Sequence, residues 1–172
     1  MSGEVLFTVL VLAVGLERIA ELVVSKRNAA WSLARGGVES GRGHYPFMVV
    51  LHTGLLAGAL VEVWVRRPET APVLAWAMFA LVVASQALRW WCIATLGRQW
   101  NTRVIVVPGA PRVTGGPYRW IPHPNYVAVV VEGIALPLVH SAWITAAVFT
   151  ALNAFLLATR VRTENAALAR LA

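Results

Sequence analysis

Residues 126–159 read YVAVVVEGIALPLVHSAWITAAVFTALNAFLLAT, and the fold turns on how this stretch is divided. It is 34 residues long and holds one carboxylate, Glu132. As one helix it would reach roughly 50 Å, against a hydrocarbon layer of about 30 Å. Pro137, His140 and Ser141 interrupt its middle. The spacing predicts a helical hairpin, each arm short enough to require tilt or local thinning of the bilayer.

Three further apolar stretches lie upstream. Val5 to about Val24 is purely apolar at first and carries Glu17, Arg18 and Glu21 toward its end. A signal peptide is the rival reading, but the start carries Glu4 and no cation, and no small-residue cleavage site precedes the charges. Tyr45 to Val65 stops at Arg66-Arg67-Pro68, and Ala71 to Leu96 ends on Arg89, Trp90 and Trp91, residues suited to the headgroup level. With the hairpin these make five predicted spans.

Composition agrees. Hydrophobic residues are 58% of the 172 and charged residues 13%, where a soluble domain sits nearer half and a quarter. The length suits one domain, too small to hide that excess in a core. We therefore expect a single all-α membrane domain, residues 1–96 forming the N-terminal spans and 97–172 the loop, the hairpin and a tail that forms a short C-terminal helix over the loop.

Fifteen Lys and Arg against eight Glu give a net charge of +7. Nucleic acid would need a continuous basic face, whereas these cations cluster between apolar runs. Four follow the first span, four follow the third and three follow the hairpin; only Arg66 and Arg67 lie on the other side. By the positive-inside rule this predicts an external N-terminus, with the long loop and the C-terminus cytoplasmic in the cell membrane.

Within the long loop, Val104 to Val107 is a short β-branched run, followed by turn-forming Pro108, Gly109, Pro111, Gly115, Gly116 and Pro117. Trp100, Tyr118 and Trp120 argue against disorder there. The densest stretch is Gly115-Gly116-Pro117-Tyr118-Arg119-Trp120-Ile121-Pro122-His123-Pro124-Asn125-Tyr126. Two prolines fix the backbone around His123, and Asn125 suits a helix cap. An interfacial anchor and a polar site are both open at this point. After the last span comes Arg160-Val161-Arg162-Thr163-Glu164-Asn165, with Arg160 and Glu164 four apart on one helical face. Alone it reads as a surface ion pair; together with the histidine segment it could close the inner mouth of the hairpin.

Several ionisable residues fall at membrane depth, where they face the bundle interior by default. Glu132 stands out, mid-span in a short helix. Glu17, Arg18 and Arg89 could pair near the inner boundary, Glu62 could snorkel outward, and His52 reads as a satisfied buried imidazole. The four histidines show no ligand spacing, so no metal is expected. Cys92, the single cysteine, excludes an internal disulfide.

At these residues the sequence resembles the isoprenylcysteine carboxyl methyltransferase family, and more distantly the phospholipid N-methyltransferases. The family pattern runs Gly-x-Tyr-Arg-x-x-Arg-His-Pro-x-Tyr, a helical hairpin, then Arg-(Ile/Val)-x-x-Glu-Glu. Gly116-Pro117-Tyr118-Arg119, His123-Pro124-Asn125-Tyr126 and Arg160-Val161-Arg162-Thr163-Glu164 match it; Pro122 replaces an arginine and Asn165 the second glutamate. The N-terminal half looks like short bacterial members.

The resemblance implies S-adenosylmethionine as methyl donor. It implies a pocket lined by His123, Pro124, Asn125, Tyr126 and Glu164, with Tyr118 and Arg119 shaping the loop above. Arg160 would stand at the reacting end, and Arg103 is a second candidate for an anionic group on its place in the loop. The acceptor would be a lipophilic carboxylate or hydroxyl reached from membrane lipid, such as a long-chain alkylpyrone or alkylresorcinol. A carboxylate needs only a guanidinium to orient it. A hydroxyl would want a base, for which His123 or Glu132 is conceivable. A nicotinamide-dependent reductase of sterol-reductase type and a non-enzymatic scaffold are the alternatives.

Overall fold

The structure, a computed structural model, describes residues 2–171. Five α-helices carry it: α1 (Gly3–Leu33), α2 (Tyr45–Arg66), α3 (Pro72–Leu96), α4 (Pro124–Leu138) and α5 (Trp143–Leu171). The local chemistry sets their ends. Pro46 and Pro72 occupy first turns, where a missing amide costs nothing. Arg67 ends α2 in the left-handed region, and Pro68 prevents its resumption.

The predicted hairpin forms between α4 and α5. Pro137 sits in the last turn of α4, Ser141 takes a positive φ of 53°, and the Ala142 amide donates back to the Pro137 carbonyl at 2.9 Å. The arms touch closely at Gly133, where a Cβ would overlap the Phe149 ring.

The expected all-α class holds, with one small addition and two corrections. The addition is a two-stranded ribbon: β1 (Val38–Ser40) pairs antiparallel with β2 (Val104–Val106), Glu39 opposite Ile105, and so clamps the first loop to the second. The β-branched run at Val104 supplies one of the two strands. Among the described residues no separate C-terminal helix follows the last span; α5 runs unbroken for 29 residues, about 43 Å, and carries Arg160 and Glu164 toward its C-terminal end. Finally, α1 continues nine residues past Val24, because its polar residues find partners within the protein.

Three of the five helices are long and apolar enough to cross a membrane, namely those within 42–66, 72–99 and 143–170. The charges of α1 and the 15-residue length of α4 set those two apart. Helix α3 packs most extensively on α4, and α5 lies against both α4 and α2. A core of Phe7, Val11, Val14, Ala59, Val63, Val82 and Leu136 fills the end away from the long loop. Large apolar side chains such as Val65, Trp76, Val73 and Phe155 stay exposed on the outside, as a lipid-facing surface requires.

Candidate active site

The site assembles where the long loop, the start of α4 and the end of α5 meet. Gly116 adopts a positive φ of 53° and lies so close to Thr95 and Trp91 of α3 that no Cβ fits. This pins the 3₁₀ turn Gly116–Arg119 onto α3 and delivers His123 to the N-cap position of α4.

His123 Nε2 hydrogen-bonds Asn165 Oδ1 at 2.9 Å, and its Nδ1 lies 3.7 Å from Glu164 Oε1. Its ring stacks on Tyr126, with centroids 5.3 Å apart. The Tyr126 hydroxyl donates to Glu164 Oε2 and accepts from Arg160 Nε at 2.9 Å. The result is a continuous chain from Arg160 through Tyr126 and Glu164 to His123. Asn165, where the family pattern has a carboxylate, holds the far side of the imidazole.

The charges respond to this arrangement. The Glu164 carboxylate raises the His123 imidazole above its ordinary value, against an opposing effect of burial. Burial pushes the Glu164 carboxyl up, but His123 and Tyr126 more than offset it and leave it below the usual carboxylate range. Tyr118 is pushed up by burial and by its neighbour Cys92, so it stays a phenol.

Two cavities flank this chain. One of about 400 Å³ lies under the loop, with Arg103, Arg112, Arg119, His123 and Glu164 on its wall. The other, about 690 Å³, lies among α1, α2, α4 and α5 and is mostly apolar. Trp100, Asn125, Tyr126 and Arg160 line both. Arg160 is buried, yet among the described residues its only hydrogen-bond partners are Tyr126 and the Met48 sulfur at 3.4 Å. Among the described residues no carboxylate stands within ion-pair distance of it. Glu164 reaches this buried cation only through the Tyr126 hydroxyl, so the corner has room for an anion in direct contact. Trp100 Nε1, Asn101 Nδ2 and Asn125 Oδ1 are likewise buried without partners.

The structure thus brings together Tyr118, His123, Pro124, Asn125, Tyr126, Arg160 and Glu164. Arg119 is exposed at the rim, and Arg103 borders the polar cavity while facing Glu39 at 3.7 Å. Two assignments change. Asn125 is not the cap; it is the second helical residue and makes no capping bond. Glu132 stands apart from the chain, and its Oε2 accepts from Arg18 at 2.7 Å and Arg89 at 2.8 Å. Glu21 completes the cluster, 2.7 Å from Arg18 and 3.5 Å from Arg89. Both guanidiniums bind the same Glu132 oxygen, so Glu132 ties α1, α3 and α4 together inside the bundle. Sequence reasoning overlooked Trp100 and Met48 as site residues. Trp100 carried a signal, an aromatic inside a polar loop; Met48 carried none.

A helical membrane protein with a polar site at one end of its bundle is the class these observations define. The chain belongs to the isoprenylcysteine carboxyl methyltransferase family, whose model matches residues 77–170, from α3 through the loop to the end of α5. The uncharacterized protein YpbQ of Bacillus subtilis is 35% identical over 164 residues, covering 95% of this chain and 96% of that protein. An uncharacterized protein of Haemophilus influenzae is 22% identical over 158 residues, 90% of each chain.

Proposed function

We propose that the protein is an integral membrane O-methyltransferase that uses S-adenosylmethionine and acts on a carboxylate or acidic hydroxyl of a lipophilic acceptor. One observation carries this reading: a polar and an apolar cavity share a wall at Arg160 and Tyr126. The polar cavity is of a size for a small-molecule cofactor. Its donors and acceptors suit that molecule: Glu164 and His123 for hydroxyl or amino groups, and Arg103, Arg112 and Arg119 for a carboxylate. The unpartnered polar atoms of Asn101 and Asn125 leave capacity for further contacts.

Bound there, S-adenosylmethionine would supply a methyl group on a sulfonium. The chain's own part is alignment and water exclusion. Arg160 orients an acceptor oxyanion with an unspent N–H and offsets its charge. Tyr126 fixes the Arg160 guanidinium, and Glu164 fixes Tyr126. No base is required if the acceptor ionises near neutral pH, as a carboxylic acid or an acidic enol of a long-chain polyketide such as an alkylpyrone does.

The excess of cations on the loop side supports a multi-pass arrangement of five spans with the site at the cytoplasmic face and the N-terminus outside. The cofactor then enters from water and the acceptor from lipid. Calorimetric titration of the detergent-solubilised protein with S-adenosylhomocysteine is the test. Saturable heat in the wild type, lost in Glu164→Ala and absent with a nicotinamide dinucleotide, is expected. No heat in the wild type ends the reading.

A further inference from the structure

Arg103, Arg112 and Arg119 reach the polar cavity from the long loop, and they are not held alike. Arg112 and Arg119 are exposed, and among the described residues neither has an ion-pair partner. Arg103 is fixed at both ends. Its amide donates to Asn101 Oδ1 at 3.3 Å, and that oxygen also accepts from Ser25 Oγ of α1 at 2.8 Å. Its guanidinium lies between the Glu39 carboxylate, 3.7 Å from Nη1 to Oε1, and the Tyr45 ring, 5.3 Å from the centroid.

The strand register explains the first of these contacts. Glu39 stands opposite Ile105, and residues two apart along a strand share a face. Arg103, two residues before Ile105, is thereby the diagonal neighbour of Glu39. Glu39 is itself settled: its side chain is only 9% exposed, and its other oxygen accepts from Arg42 Nε at 3.2 Å. The Tyr45 ring is placed by its hydroxyl, 3.3 Å from Thr102 Oγ1. An ion pair this open contributes little to stability. Its effect is to fix where an otherwise mobile guanidinium points. Among the described residues no other carboxylate stands beside Arg103, so its remaining N–H groups are free for a ligand.

We propose that Glu39 and Tyr45 are positioning residues for Arg103, which takes the carboxylate at the amino-acid end of the cofactor. The inference rests on the methyltransferase reading for the identity of the ligand. A planar guanidinium matches a carboxylate, and restricting it beforehand lowers the cost of binding. Both positioning residues precede the region 77–170 that matches the family model. The N-terminal half of the chain therefore contributes to what the site reads.

Two ligands that differ by one carboxylate test this: S-adenosylhomocysteine and its decarboxylated analogue, adenosylthiopropylamine. Calorimetry on the detergent-solubilised protein should show the wild type preferring the first by about tenfold or more. Arg103→Gln should remove that preference. Glu39→Ala should reduce it by roughly threefold or more, through weaker binding of S-adenosylhomocysteine alone. Glu39→Gln keeps an oxygen facing Arg103 and should retain the preference, which a purely electrostatic role of Glu39 would not allow. Should Glu39→Ala unfold the ribbon and lose both ligands, Tyr45→Leu decides in its place, with the preference again expected to fall. Equal affinities in the wild type, or a preference that Glu39→Ala leaves unchanged or increases, overturn the inference while the methyltransferase reading stands. Binding of neither ligand by the wild type removes that reading and this inference with it.

Discussion

The Arg160 Nε–H donates to the Tyr126 hydroxyl at 2.9 Å, joining the end of α5 to the first turn of α4 across the hairpin. The two residues lie 34 positions apart, and both stand in the wall shared by a polar and an apolar cavity. Tyr126 passes the connection on to Glu164 and, through it, to His123.

Removing only the hydroxyl, in Tyr126→Phe, should leave the fold intact and break this chain in the middle. Hydrogen bonds to charged groups contribute about 1.5–3 kcal/mol each. We expect S-adenosylhomocysteine affinity to fall by roughly tenfold or more, with an unchanged helical circular dichroism spectrum. Unaltered affinity would show that Tyr126 does not organise the polar cavity.

Glu132 should behave as a structural residue. In Glu132→Ala the Arg18 and Arg89 guanidiniums lose a shared buried acceptor, a change that typically costs about 3–5 kcal/mol. The expected result is a marked fall in melting temperature, with cofactor affinity per folded molecule unchanged. A variant that melts like the wild type but cannot methylate would restore Glu132 as a base.

The pairing of His123 with Glu164 makes its contribution depend on pH. The His123 value is raised above 6.5, so its contribution is fully present below 6.5 and is lost as pH rises through the raised value. The Glu164 value is depressed below 4.5, so its contribution is present above 4.5 and is lost as pH falls through the lowered value. The melting-temperature difference between the wild type and His123→Gln should therefore be largest between 4.5 and 6.5, and shrink on the alkaline side. A difference independent of pH would mean that the imidazole carries no charge in the folded protein.

Close approach of the hairpin arms depends on Gly133. Gly133→Ala should destabilise, because the new methyl group overlaps the Phe149 ring. Combining it with Phe149→Leu should recover part of the loss in thermal stability. An additive, lower melting temperature in the double variant would show that the two residues are not in conflict.

Much of this was legible in the residues. The apolar runs and the break at Pro137 to Ser141 marked out the helices, since each depends on local composition and spacing. The motif around His123 and the segment from Arg160 to Glu164 were visible because proline and closely spaced charges are local signals. The partners of Glu132 were harder to see. Arg18 and Arg89 come from two other helices, and nothing within α4 indicates which cations it will meet. The strand pairing of Val38–Ser40 with Val104–Val106 was hidden because three residues carry too weak a pattern, and each strand forms only against the other.

The sequence by itself determined that the chain is helical, rich in lipid-compatible surface and equipped with a histidine segment and an arginine–glutamate segment flanking a hairpin. Those properties follow from periodicity, composition and turn chemistry, which act over a few neighbouring residues. Only the tertiary structure decided that, among the described residues, no carboxylate stands within ion-pair distance of Arg160, that Glu132 is tied up by two arginines, and that a polar and an apolar cavity share one wall. Charge compensation and cavity shape depend on side chains brought together from different helices, and such meetings are set by packing rather than by any local run of residues.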